Sequence, residues 1–89
     1  MLTLHVRLYS KPGCHLCENA KQLLDDARAD FDFLLEEINI EEDPALKERL
    51  GTQIPVITFD GGNRVAGQIS DEKLRRAFGK SLKARGESH

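Results

Sequence analysis

The stretch LTLHVRLYSKPGCHLCENAKQLLDDAR, residues 2–28, changes period halfway along. Leu2, Leu4, Val6 and Leu8 alternate with Thr3, His5, Arg7 and Tyr9, which is the signature of a strand with one apolar face. Ser10 to Gly13 breaks that pattern. Leu16, Ala20, Leu23, Leu24 and Ala27 then recur at helical spacing, so a helix is expected from about Cys14 to Arg28. At the hinge between the two sits Cys14-His15-Leu16-Cys17, which contains the only two cysteines of the chain.

A thiol at the first turn of a helix faces unpaired backbone N–H groups and the positive end of the helix dipole. Both favour thiolate, the reactive form. Cys17 lies one turn further in, within reach of a short disulfide to Cys14. Thiol–disulfide exchange needs an attacking thiolate, a good leaving thiolate and a neighbouring thiol to resolve the mixed disulfide. Cys14 is read as the nucleophile, with Gly13 leaving room for a partner, and Cys17 as the resolver, turned toward Ala20 and Leu24. His15, as a cation inside the motif, would stabilise the Cys14 thiolate and make the disulfide a better oxidant; an exposed, inert histidine is the alternative. A zinc site would want four ligands, and beyond the two cysteines the chain has only His5, His15 and His89. No metal is expected.

Outward from this hinge, Phe31 to Ile40 holds a second strand whose register Phe33-Leu34-Leu35 leaves open. Asp43 is a good N-cap with Pro44 at the first helical position, starting a short helix that stops at Gly51. Val56–Phe59, a four-residue Asp60-Gly61-Gly62-Asn63 loop and Arg64–Ala66 read as a hairpin. Ser70 caps a last helix carrying Leu74, Ala77, Phe78 and Leu82 on one face, with Asp71 and Glu72 at its positive end. The order β-α-β-α-β-β-α makes an α/β fold with a mixed sheet and helices packed on it.

Pro55 stands at the head of the third strand, where proline is tolerated. An X-Pro bond has a cis option costing only about 0.5–1 kcal/mol. In that form the Ile54 backbone would turn its N–H and C=O toward the dithiol and an extended substrate; an ordinary trans strand start is equally compatible with the residues. The acidic run Glu36-Glu37 with Glu41-Glu42-Asp43 reads as a solvated edge.

Eighty-nine residues make one small domain, with 39% hydrophobic residues for a core and 31% charged residues outside. A net charge of −2 gives no general reason to bind nucleic acid or a membrane surface. There is no apolar run of membrane-spanning length, and the alternating Met1–Tyr9 does not form a signal-peptide core. The expected location is the cytoplasm, where close cysteines are more often catalytic than structural.

Ser10-Lys11-Pro12-Gly13-Cys14-His15-Leu16-Cys17, Ile54-Pro55, and Ala66-Gly67 ahead of a last helix together resemble the glutaredoxin-like branch of the thioredoxin superfamily. The resemblance covers about residues 2 to 84. It implies a thioredoxin-like (glutaredoxin-like) four-stranded mixed sheet flanked by three helices, with residues 1–84 as one domain, 85–89 as a flexible tail, and Pro55 cis. It also implies a dithiol oxidoreductase with Cys14 exposed and Cys17 buried. Lys11 matches a lysine that supports the thiolate and the glycyl carboxylate of glutathione, and Ile54 the position that pairs with its cysteinyl part.

The motif interior, His15-Leu16, departs from the usual Pro-Tyr. Ala66 to Asp71 also lacks the usual turn for the γ-glutamyl end, although Ser70 and Asp71 could supply a hydroxyl and a carboxylate there. The expected co-substrate is glutathione or a disulfide-bearing protein, with a reductase as electron donor, no tightly bound cofactor and a monomeric state. The rival readings are an iron–sulfur or metal carrier using Cys14 at a dimer interface, and a thioredoxin-fold interaction module.

Overall fold

The computed structural model describes residues 3–84; the tail expected at 85–89 lies outside them. Strand β1 (Leu4–Ser10) leads into helix α1 (His15–Ala27), followed by strand β2 (Phe33–Asn39). A 3-10 turn (Ile40–Glu42) and helix α2 (Pro44–Leu50) precede the hairpin β3 (Val56–Phe59) and β4 (Arg64–Ala66), and helix α3 (Asp71–Ala84) closes the chain. The four strands form one mixed sheet in the order β2-β1-β3-β4. β1 runs parallel to β2 and antiparallel to β3, and β3 is antiparallel to β4. The mixed sheet with helices packed on it is what the element order predicts, and its four-stranded form is what the resemblance implies.

The alternation of β1 decides the layers. Leu4, Val6 and Leu8 are all buried, while His5 and Arg7 on the other face are exposed. Against the buried face pack Ala20, Leu24 and Ala27 of α1 and Leu74, Ala77 and Phe78 of α3, joined by Phe33, Ile57 and Phe59 in one cluster. Ile40, Leu50 and Val56, with Cys17, are buried outside that cluster.

The register of β2 pairs Leu4 with Phe33 and Val6 with Leu35. Phe33 and Leu35 therefore face the core, and Leu34 points away, 57% exposed. The unbroken apolar triplet hid this. On the open face, Arg7 sits directly opposite Glu36 and pairs with it at 3.1 Å, a surface contact worth at most about 1 kcal/mol.

Local signals set the helix ends. Asp43 Oδ1 accepts from the N–H groups of Ala45 (3.0 Å) and Leu46 (3.4 Å), and Ser70 Oγ accepts from Lys73 N–H at 3.1 Å, both N-cap geometries. Four phenylalanines gather round α3: Phe78 stacks on Phe31 at 4.5 Å between centroids and meets Phe33 and Phe59 at 5.0 Å each. Phe78→Ala should cost about 3–5 kcal/mol through lost burial and the cavity left behind, read as a lowered midpoint in urea unfolding.

Candidate active site

Each end of the sheet is a consequence of the pairing. Tyr9 of β1 opposes Val56 of β3, so the last residues of β1, the start of α1 and the segment entering β3 lie at the same end. Cys14 is the N-cap of α1, in extended conformation. Its Sγ accepts the N–H of Cys17 at 3.3 Å and its carbonyl accepts the N–H of Glu18 at 3.1 Å. A sulfur that receives a backbone N–H is held as an acceptor, the role a thiolate fills. Gly13, which delivers the chain to this cap, has φ +77°, a conformation L side chains rarely adopt, and open space where a Cβ would stand. That space lets a partner approach Cys14.

The amphipathic pattern of α1 separates the two thiols. Cys14 is half-buried; Cys17, on the face of Ala20, Leu24 and Ala27, is only 4% exposed. Burial pushes the Cys17 thiol up to about 11, with hydrogen bonding to Cys14 and the Cys14 charge adding to the rise. Lys11 opposes it, through its backbone N–H and its charge. His15 and Leu16 are exposed on the first turn, Leu16 at 41%.

The peptide bond Ile54–Pro55 is cis, and Pro55 is buried ahead of β3. Ile54 differs from the expectation in one respect: its N–H donates to the Leu50 carbonyl at 3.0 Å. No donor among the described residues reaches its own carbonyl, which leaves the C=O as the backbone group free to meet a substrate. The turn after β4 is tied to this segment, because Gly67 N–H donates to the carbonyls of Pro55 (2.9 Å) and Gln53 (3.2 Å). Gly67, with φ +76°, is a second position where the backbone calls for glycine.

Ser70 and Asp71 are engaged within α3. Ser70 Oγ caps the helix, and both Asp71 oxygens accept from Arg75 Nε, at 3.1 and 3.0 Å. Arg75 also reaches Asp30 at 2.6 Å.

A cleft of about 400 Å³ opens beside Cys17, walled in part by Ser10, Lys11, Glu18, Lys21 and Glu37. Glu37, exposed on the edge strand as expected, pairs here with Lys21 at 3.2 Å, and Lys21 also approaches Asp25 at 3.8 Å. Lys11 makes no ion pair among the described residues, so it is the cation of this cleft with charge to offer a ligand. Nothing in the linear order of Lys21 and Glu37 announces that they meet. Among the described residues no group of three or more His, Cys, Asp or Glu side chains is placed to hold a metal ion.

The asymmetry of the thiols has a direct readout. In the Cys14→Ser variant, Cys17 should react with iodoacetamide far more slowly at neutral pH than Cys14 does in Cys17→Ser. Because the thiolate is the nucleophile and burial alone still raises Cys17 when Cys14 is gone, its rate should climb about tenfold per pH unit through and above neutral pH. A faster Cys17 at neutral pH would exchange the two roles.

Comparison with known proteins agrees with this geometry. Residues 5–79 match the glutaredoxin-like domain (DUF836). The chain is 28% identical over 78 residues to a glutaredoxin-like protein YDR286C homolog of Dictyostelium discoideum, covering 81% of this chain and 72% of that one. It superposes on the X. campestris protein XcR50 with a TM-score of 0.72 at 29% identity, covering 82% of this chain and 93% of the other. Reduced desulfothioredoxin from Desulfovibrio vulgaris Hildenborough gives 0.68 at 22% identity, over 89% and 82%, a likeness of fold. With a matching family profile over most of its length, a thioredoxin-like sheet and Cys14 and Cys17 at the head of α1, the chain belongs to the glutaredoxin-like domain family of the thioredoxin superfamily.

Proposed function

We propose that this protein is a dithiol thiol–disulfide oxidoreductase that reduces protein or glutathione mixed disulfides. The observation that supports this most is the division of labour within four residues: an accessible sulfur at a helix N-cap and a buried, high-pKa thiol one turn behind it. Such a pair suits two successive exchanges. The Cys14 thiolate attacks one sulfur of the substrate disulfide; that S–S bond breaks and the departing sulfur leaves as a thiolate that takes up a proton. Cys14 is then held in a mixed disulfide and carries no charge. Two of the causes that raise Cys17 thereby disappear, leaving burial, while Lys11 still favours its thiolate. Cys17 loses its proton and attacks Cys14 Sγ, releasing the second substrate thiol and leaving a Cys14–Cys17 disulfide. Two electrons from a reductase or from two glutathione thiols restore the dithiol.

In this reading Lys11, Ile54 and Pro55 form the substrate-facing side of the site, with His15 next to the reacting sulfur. The protein works as a monomer and without a tightly bound cofactor, in a reducing compartment such as the cytoplasm, where the dithiol can be regenerated. No helix among the described residues is long and apolar enough to cross a membrane.

Turnover of hydroxyethyl disulfide, coupled in parallel to glutathione with its reductase and to thioredoxin reductase, tests the reading and identifies the donor. Cys14→Ser should abolish turnover in both arms; Cys17→Ser should retain only exchange with glutathionylated substrates. Absence of turnover in both arms with the native dithiol would sink the proposal.

Glutathione itself should bind weakly, since Ser70 and Asp71 are engaged within α3 and Lys11 is left as the unpaired cation of the cleft. Titrating Cys17→Ser with oxidised glutathione by calorimetry, Lys11→Ala should weaken binding severalfold, about what one exposed charge contact contributes. Asp71→Ala should change it little. Tight, Asp71-dependent binding would contradict this account of the turn.

A further inference from the structure

A second cleft, of about 210 Å³, lies between β4 and α3. Lys73, Arg76 and Lys80 stand along one side of α3, a stripe about 10 Å long at 1.5 Å per residue, and Arg64 of β4 faces them across the cleft. All four are exposed. Among the described residues only Arg76 has a carboxylate partner, Glu72 at 3.4 Å. Asn63 Nδ2 donates to the Ala77 carbonyl (2.9 Å) and to Ser81 Oγ (3.4 Å), which pins the hairpin to the helix and holds the cleft open at a set width. β4 is an end strand of the sheet, with β3 as its sheet neighbour. At the other end of the sheet, β2 and the turn after it carry Glu36, Glu37, Glu41 and Glu42. A chain with a net charge of −2 therefore concentrates uncompensated positive charge along one edge.

That edge is connected to the reacting end. The Arg64 guanidinium donates to Gln53 Oε1 at 2.7 Å, Gln53 directly precedes Ile54-Pro55, and its carbonyl receives the Gly67 N–H. The geometry points to a docking cleft for the acidic flank of a polypeptide whose disulfide lies at Cys14. This rests on the proposed oxidoreductase activity and specifies its substrate class: disulfides in proteins or peptides with several Asp or Glu residues near the cystine. A nucleic acid fits less well, since the acidic opposite edge repels a long polyanion. A small phosphate fits less well too, because the Asn63 amide is already bonded to Ala77 and Ser81, and long lysine side chains act as point charges that suit separated carboxylates.

Two short synthetic peptides test this, identical in their disulfide-closed core but flanked by glutamates in one and lysines in the other. Their single-turnover reduction by the pre-reduced full chain is followed at low salt, each rate divided by that for neutral hydroxyethyl disulfide. The acidic peptide should be faster by about tenfold, as steering by a charged cleft predicts. The gap should close at about 0.5 M NaCl, where screening acts over a few ångströms, and in Lys73→Glu/Lys80→Glu. Equal rates in the native chain, or a preference that survives the double variant, would overturn the inference. If no disulfide is reduced, the oxidoreductase reading fails instead. Docking is then read from amide NMR shifts with the acidic peptide carrying serines for cysteines: shifts at residues 63–80 support the cleft, and shifts elsewhere or none refute it.

Discussion

Burial of Leu4, Val6 and Leu8 on one face of β1 is the constraint from which the remaining geometry follows. These three residues are at most 1% exposed, and burying each is worth about 1.5–3 kcal/mol. A one-residue slip would turn all three to solvent. With β1 held in that register between parallel β2 and antiparallel β3, its penultimate residue Tyr9 lies opposite Val56, the first of β3. The chain leaving β1 enters α1 at that end, and the chain entering β3 carries Ile54 and Pro55 to it. The dithiol and its neighbouring proline segment are brought together by the placement of a central strand, forty residues apart in sequence.

The helix that follows turns a sequence spacing into a chemical difference. A C-x-x-C pair at the start of an amphipathic helix cannot present both sulfurs equally: the N-cap position stays half-buried, and the position three residues on falls on the buried face. Cys14 consequently meets a backbone N–H, and Cys17 meets the core and loses access to water, which raises its thiol to about 11. The same helix places Lys21 over the cleft next to Glu37 of β2, so an ion pair lines the cleft beside Cys17.

Polar groups near the site divide between those that build the fold and those left for a ligand. Ser70, Asp71, Asn63 and the Ile54 N–H already hold internal hydrogen bonds, and drawing any of them to a substrate would leave a partner unsatisfied. Among the described residues Lys11, the Ile54 carbonyl and, on α3, Lys73 and Lys80 carry no such obligation.

Much of this was legible from residue order alone. The switch from alternating to helical period at residues 10–14, the caps at Asp43 and Ser70, the Gly61-Gly62 hairpin and the turning of Cys17 toward the core are all local, because they depend on periodicity and on capping chemistry within a few residues. What lay beyond reach depends on pairing across the sheet. The register that buries Phe33 and exposes Leu34 required β1 as a partner. The meeting of Lys21 with Glu37, the capture of the Ile54 N–H by Leu50 and the convergence of Arg64 with Lys73, Arg76 and Lys80 required the fold. Such contacts join residues whose separation along the chain carries no signal, and only the packing of apolar faces, which is indifferent to where charges fall, decides which of them become neighbours.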